Sequence, residues 1–147
     1  MAYQFKVVRR VEFSETDMAG IVHHSNFFRY MESAEHGFFR SLGFSVVMRN
    51  FEAPMGWPRV HVECDFWHPL KFEDEFEVLM LVSRKRPKAL SYVFKFTKLN
   101  GRKRIEVARG SLIAVCVIKK ADGSLAAAKI PKAVADKISV APARLLK

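Results

Sequence analysis

The chain has 147 residues, half of them hydrophobic and 27% charged, with a formal net charge of +10. That length suits one domain, 1–147, and that balance excludes intrinsic disorder and fibrous composition. No run approaches the roughly 20 apolar residues that cross a bilayer, and Met1–Lys6 carries no signal-peptide pattern, so the reading is a cytoplasmic protein.

Tyr3–Phe13, rich in Val, Phe and Tyr, reads as a strand, followed by a loop containing Thr16, Asp17 and Gly20. A helix is predicted from about Phe27 to Leu42, with Ser25 and Asn26 as N-cap candidates and Gly43 at the C-terminal stop. Phe27, Tyr30, Met31, Ala34, Phe38 and Leu42 form one apolar stripe, and Phe28 and Phe39 widen it. Only a narrow polar strip remains, made of Arg29, Glu32, Glu35, His36 and Arg40, so the helix is expected in the core, with Glu32 and His36 in an ordinary surface contact at i,i+4.

After a loop holding Pro54, Gly56 and Pro58 the pattern changes to period two. Val60, Val62, Cys64 and Phe66 alternate with His61, Glu63, Asp65 and Trp67; Phe76, Val78, Met80 and Val82 repeat the rhythm, and Ser91–Leu99 continues it. Asn100-Gly101 signals a hairpin into a long strand over Arg104–Lys119, Asp122-Gly123 marks another turn, and Pro131 suits the start of a short helix over Lys132–Ile138. Cys64 and Cys116 both fall in strand-like segments and read as buried free thiols. The order β-α-β-β-β-β predicts an α+β protein in which a five-stranded antiparallel sheet curls around one long central helix, although periodicity alone leaves other α+β sheets open.

The chemistry is concentrated in Val11–Gly43, VEFSETDMAGIVHHSNFFRYMESAEHGFFRSLG. A strand ends, a carboxylate follows in a loop, and a buried helix starts about ten residues later. The helix N-terminus offers backbone N–H groups and a positive dipole end to a developing oxyanion. The loop carboxylate can attack a thioester carbonyl or activate water. This segment resembles the signature of the 4-hydroxybenzoyl-CoA thioesterase family of hotdog proteins. The residues that carry the likeness are Asp17, Gly20, Ile21, Val22, His23, His24, Asn26, Phe27, Tyr30, Glu32, Ala34 and Gly43.

The resemblance implies the hotdog fold and hydrolysis of an acyl- or aroyl-thioester carried on CoA or an acyl-carrier protein. It places the catalytic carboxylate on Asp17 and the carbonyl-polarising N–H near His24, with His23 and Asn26 as substrate-binding candidates. It also implies a homodimer or homotetramer with the site at a subunit interface. Arg84, Lys85, Arg86 and Lys88 read in themselves as either a solvated loop that guards a sheet edge or a phosphate clamp, and the resemblance favours the clamp for CoA. One departure is Glu35, where many relatives carry Arg. Phe51, Trp57 and Trp67 are candidates for an acyl pocket or for packing.

No metal is expected, since adjacent His23 and His24 diverge, and no cofactor, since CoA would be part of the substrate. No Gly-rich phosphate loop or G-x-S-x-G elbow is present. Three other readings remain: a hotdog dehydratase or hydratase, which would use a His and an acid on the helix; a protein that binds acyl-CoA without turnover; and a basic nucleic-acid binder. The last is disfavoured because the basic runs are not interleaved with aromatics.

Overall fold

The computed structural model describes residues 1–49, 51 and 53–147. β1 spans Gln4–Arg10, and a 3-10 turn over Phe13–Glu15 leads into the loop before α1, Ser25–Ser41. β2 (Met55–Gly56), β3 (Arg59–Phe66), β4 (Glu75–Lys85), β5 (Ala89–Asn100) and β6 (Lys103–Val115) follow. The chain ends with β7 (Val117–Lys119), β8 (Leu125–Ala127) and the short α2 (Lys132–Ala135). The main sheet has the order β1-β4-β5-β6-β3, every neighbouring pair antiparallel, and α1 packs against it: the hotdog arrangement.

α1 begins two residues before the sequence-based start because His24, not Ser25 or Asn26, is the N-cap, and it makes no side-chain cap bond. Asn26 is drawn away by the preceding loop, where its amide donates to the Glu15 carbonyl at 2.8 Å. Gly43 ends the helix with φ +89°, letting the Phe44 N–H return to the Phe39 carbonyl at 2.9 Å. The predicted stripe is the buried face: Phe27, Tyr30, Met31, Ala34 and Phe38 are all at most 3% exposed. They meet Phe76, Val78, Met80 and Val82 of β4 and Tyr92, Phe94 and Phe96 of β5 in one core. Each large side chain so buried contributes about 1.5–3 kcal/mol.

Gly110 of β6 pairs with Phe94 on one side and Cys64 on the other. A Cβ there would meet Met31 Cε at 1.9 Å and the Glu63 carbonyl at 3.1 Å, so glycine sets how closely helix and sheet approach.

The long strand expected over Arg104–Lys119 is interrupted at Cys116, whose N–H donates to the Lys88 carbonyl at 2.8 Å. The continuation, β7, leaves the main sheet and pairs with β2 and β8 in a second, three-stranded sheet that the sequence pattern does not announce.

The polar strip of α1 also needs correction, because Glu35 is fully buried. A bulge between Arg59 and His61 in β3 reverses the alternation at Arg59. Its guanidinium therefore reaches under the helix and donates to Glu35 Oε1, while also donating to the Trp57 carbonyl at 2.6 Å. Burial raises the Glu35 pKa, and the neighbouring Arg59 works in the opposite direction.

Removing the cation strands a buried carboxylate, so Arg59→Ala should lower stability by about 3–5 kcal/mol at neutral pH in chemical denaturation. A carboxyl whose folded-state pKa lies above its unfolded value favours its neutral form in the fold and loses stability as pH rises. The Arg59→Ala deficit should therefore shrink as the pH is lowered toward about 5.

Candidate active site

The loop from Thr16 to His24 is held shut by its own backbone. Asp17 N–H donates to the Ile21 carbonyl at 2.9 Å, Gly20 N–H to the Asp17 carbonyl at 2.9 Å, and Thr16 and Val22 form an antiparallel bridge. Gly20 sits at φ +80°, a left-handed turn that glycine enters without strain. The loop is sewn to the turn before β4 through Ile21–Lys71 and through Val22 N–H to the Leu70 carbonyl, 2.8 Å.

Asp17 therefore stands beside the N-terminus of α1. Its Oδ1 accepts the Ala19 N–H at 2.8 Å, an Asx turn that fixes the carboxylate and leaves Oδ2 free of that bond. Asp17 and His24 line the same cavity of about 420 Å³. Val22, Phe27, Phe66 and Leu70 supply its apolar wall. Among the described residues no acceptor is found for the backbone N–H of His24, which lies at the helix start. A carboxylate, an open N–H donor at a helix N-terminus and an apolar wall are together suited to acyl transfer to water: one group attacks or deprotonates, and the other receives negative charge on oxygen.

The other sequence candidates fall into different places. His23 is exposed, outside the cavity lining and paired through Nδ1 with Ser25 Oγ at 2.8 Å. Contrary to the expected divergence its ring lies against that of His24, centroids 4.3 Å apart, because the chain there is neither strand nor regular helix. Asn26 is 8% exposed and its amide is committed to the loop. Arg84 and Lys85 end β4, and Arg86 and Lys88 follow in its connection to β5, at the end of β4 opposite Glu75. Since Val11 and Leu70 tie the Asp17 loop to the Glu75 end, the eleven residues of β4 put the basic run roughly 30 Å away along the sheet of the same chain.

Of the three aromatic candidates, Trp67 lines the cavity, Trp57 is buried against Phe39 with centroids 5.5 Å apart, and Phe51 lines a separate hollow near Met48 and Arg49. Sequence reasoning missed Phe66 and His68 in the cavity wall. β3 ends at Phe66, just before His68-Pro69, and the proximity of this turn to the Asp17 loop depends on tertiary pairing. Burial pushes the Cys64 thiol up to about 12 and the Cys116 thiol up to about 11, so neither offers a thiolate nucleophile near neutral pH. Among the described residues no cluster of three His, Cys, Asp or Glu could hold a metal, and no helix is long and apolar enough to cross a membrane.

This strand–carboxylate loop–buried helix unit within a hotdog sheet is the architecture of a thioester hydrolase. A sequence model of the Thioesterase-like superfamily matches residues 11–138, and the chain belongs to that family: it is a thioesterase. It is 40% identical over 115 residues to a protein of Aquifex aeolicus (strain VF5) provisionally named an esterase, spanning 76% of this chain and 82% of that protein. It is 30% identical over 97 residues to the 1,4-dihydroxy-2-naphthoyl-CoA hydrolase of Prochlorococcus marinus (strain MIT 9211), spanning 61% of this chain and 64% of that protein. Among solved structures it resembles BH1999, a gentisyl-coenzyme A thioesterase, with a TM-score of 0.74 and 31% identity over 88% of this chain and 98% of that one. The fold is also that of the 4-hydroxybenzoyl CoA thioesterase from Pseudomonas sp. strain CBS-3, with a TM-score of 0.78 and 22% identity over 92% and 99% of the two chains.

Gly20→Ala meets no atom within 4 Å but imposes a side chain on a left-handed backbone. It should cost about 1 kcal/mol or more in thermal or chemical unfolding, through strain and not through a clash.

Proposed function

We propose that the protein hydrolyses acyl-CoA or aroyl-CoA thioesters at the cavity of Asp17 and His24. The observation that carries the reading is that Asp17 lines one largely apolar pocket together with His24, the helix-start residue whose N–H has no acceptor among the described residues. The thioester carbonyl enters with its oxygen toward the His24 N–H. Asp17 attacks the carbonyl carbon or takes a proton from the attacking water, negative charge collects on the carbonyl oxygen, and collapse expels the CoA thiolate; where Asp17 is the nucleophile, water then hydrolyses the acyl–Asp17 anhydride that remains. The net change is thioester plus water to carboxylic acid plus thiol. The curated hydrolase and the gentisyl enzyme named above act on aromatic acyl-CoA compounds, and the aromatic wall of Phe27, Phe66 and Trp67 is compatible with such a group.

The hydratase reading, with a His and an acid on the helix, is less well served. Glu35 is spent on Arg59, and Glu32 lines a different hollow with Arg29 and Val62.

A second copy of the chain completes the arrangement. β3 is an edge strand of the main sheet, and it is largely exposed, with Val60 at 63% and Phe66 at 47%. Pairing this edge with another β3 would cover that surface and extend the sheet across a twofold axis. The basic run at Arg84–Lys88 is remote from Asp17 in its own chain, so it serves as a clamp for CoA phosphates when another copy presents it.

Asp17→Asn should fold as the native protein does yet release thiol from acyl-CoA substrates about 10²–10⁴-fold more slowly, followed with a thiol reagent; an unchanged rate would remove Asp17 from the mechanism. Val62→Lys, a charge on the β3 edge, should shift the protein toward monomer in light scattering and depress activity with it; an unaltered oligomer would exclude this edge as the interface.

A further inference from the structure

We infer that Glu15 is the positioning residue that sets Asp17 against the His24 N–H; this rests on the reading of Asp17 as the reacting carboxylate. Glu15 touches neither the cavity nor a substrate position. It is nonetheless a point where β1, the loop and the start of α1 are joined.

Its carbonyl accepts two hydrogen bonds, from the His23 N–H at 2.9 Å and from Asn26 Nδ2 at 2.8 Å. Both donors lie at the start of α1, one on each side of His24 in sequence. The carbonyl therefore fixes the segment carrying the oxyanion donor relative to the segment carrying Asp17, two residues on. Its side chain fixes the carbonyl in turn. Oε1 accepts the Glu12 N–H at 2.8 Å, the half of a capping box that the Glu15 side chain supplies, and the Glu15 N–H donates to the Glu12 carbonyl at 3.0 Å within the 3-10 turn.

Oε2 faces Arg9 at 4.0 Å. Arg9 lies over the Tyr30 ring, 5.0 Å from its centroid, and donates to Ser33 Oγ at 3.2 Å, so β1, the loop and the body of α1 converge on one carboxylate. The Glu15 side chain is only 15% exposed, and the Tyr30 hydroxyl is pushed up by burial and by that adjacent carboxylate.

The alternative role is a plain cap for the 3-10 turn. A cap stabilises the fold but has no reason to act through Asp17. A positioning residue lowers the chemical step, because displacements near 1 Å cost about 100-fold in rate, and it stops mattering once the group it positions is gone.

The test measures steady-state thiol release from an aromatic acyl-CoA by the full-length protein and by Glu15→Ala, Glu15→Gln, Asn26→Ala, Asp17→Asn and the Glu15→Ala/Asp17→Asn pair, with circular dichroism to establish folding. Glu15→Ala should lose about 10- to 100-fold in kcat with KM unchanged. Glu15→Gln, which keeps the acceptor for Glu12, should retain more activity than Glu15→Ala. Asn26→Ala, which removes one of the two bonds to the same carbonyl, should also lose kcat. In the Asp17→Asn background, Glu15→Ala should bring no further loss.

Equal fractional losses in both backgrounds, or full kcat in a folded Glu15→Ala, would overturn the inference while leaving the hydrolase reading intact. If Glu15→Ala does not fold, the same comparison is read from Glu15→Gln and Asn26→Ala in the two backgrounds. Wild-type rates from Asp17→Asn would instead overturn the hydrolase reading of this site, and the inference with it.

Discussion

Phe27, Tyr30, Met31, Ala34, Phe38 and Phe39 are each at most 3% exposed, so α1 presents apolar surface over much of its circumference. A helix of this kind cannot lie on a flat sheet with one face in water; the sheet has to curl around it. With the helix body enclosed, its N-terminus is left at one end of the sheet, where the chain turns from β1 into the Asp17 loop and where β3 ends at Phe66. Burying one amphipathic segment thus decides where a positive dipole end and an open N–H can meet a carboxylate. The proposed catalytic arrangement follows from the packing problem.

β3 is the element in which stability, the candidate site and a free sheet edge meet. Its first residue, Arg59, is turned inward by a bulge to pair with buried Glu35. Its last, Phe66, lies edge-to-face on Phe27, 5.0 Å between centroids, and forms cavity wall. Between them the strand is paired on one side only and exposes Val60 and Val62. A strand anchored at both ends and bare along its outer edge is suited to sheet extension, because the anchors fix the register that a partner must meet.

Much of this was legible in the sequence. A period-two run named the inward residues of β4 and marked β5 as alternating, the stripe named the core face of α1, and Asn100-Gly101 and Asp122-Gly123 are turns with φ of +61° and +86° at their glycines. The Asp17-before-helix spacing led to the cavity. What could not be read were the features that depend on tertiary contact. Glu35 looks like any polar-face acid until a bulge, itself invisible to periodicity, brings Arg59 beneath the helix. Asn26 looks like an N-cap because local propensity cannot reveal a competing acceptor eleven residues earlier. β7 looks like the end of β6 because nothing in Cys116 announces the Lys88 carbonyl that redirects the chain.

Charge and chemistry also lie apart in the molecule. The run Arg84–Lys88 at the turn from β4 into β5 carries four cations and no acid, and the segment 119–138 carries five cations against two acids, so together they hold seven of the ten net positive charges. The two pack on each other through Ile130 N–H to the Pro87 carbonyl, 2.9 Å, and through Lys85 Nζ to the Ala135 and Ile138 carbonyls. They stand at the end of the sheet away from Asp17. A ligand with a reactive thioester at one extremity and phosphates at the other gains little from one chain taken alone, because one chain offers its cavity and its cations at opposite ends. Antiparallel pairing of two β3 edges about a twofold axis reverses one copy relative to the other and brings the basic end of each toward the cavity end of its mate. Under the proposed pairing the exposed strand edge, the remote basic run and the carboxylate loop would answer one requirement, and dimer formation would become part of substrate recognition.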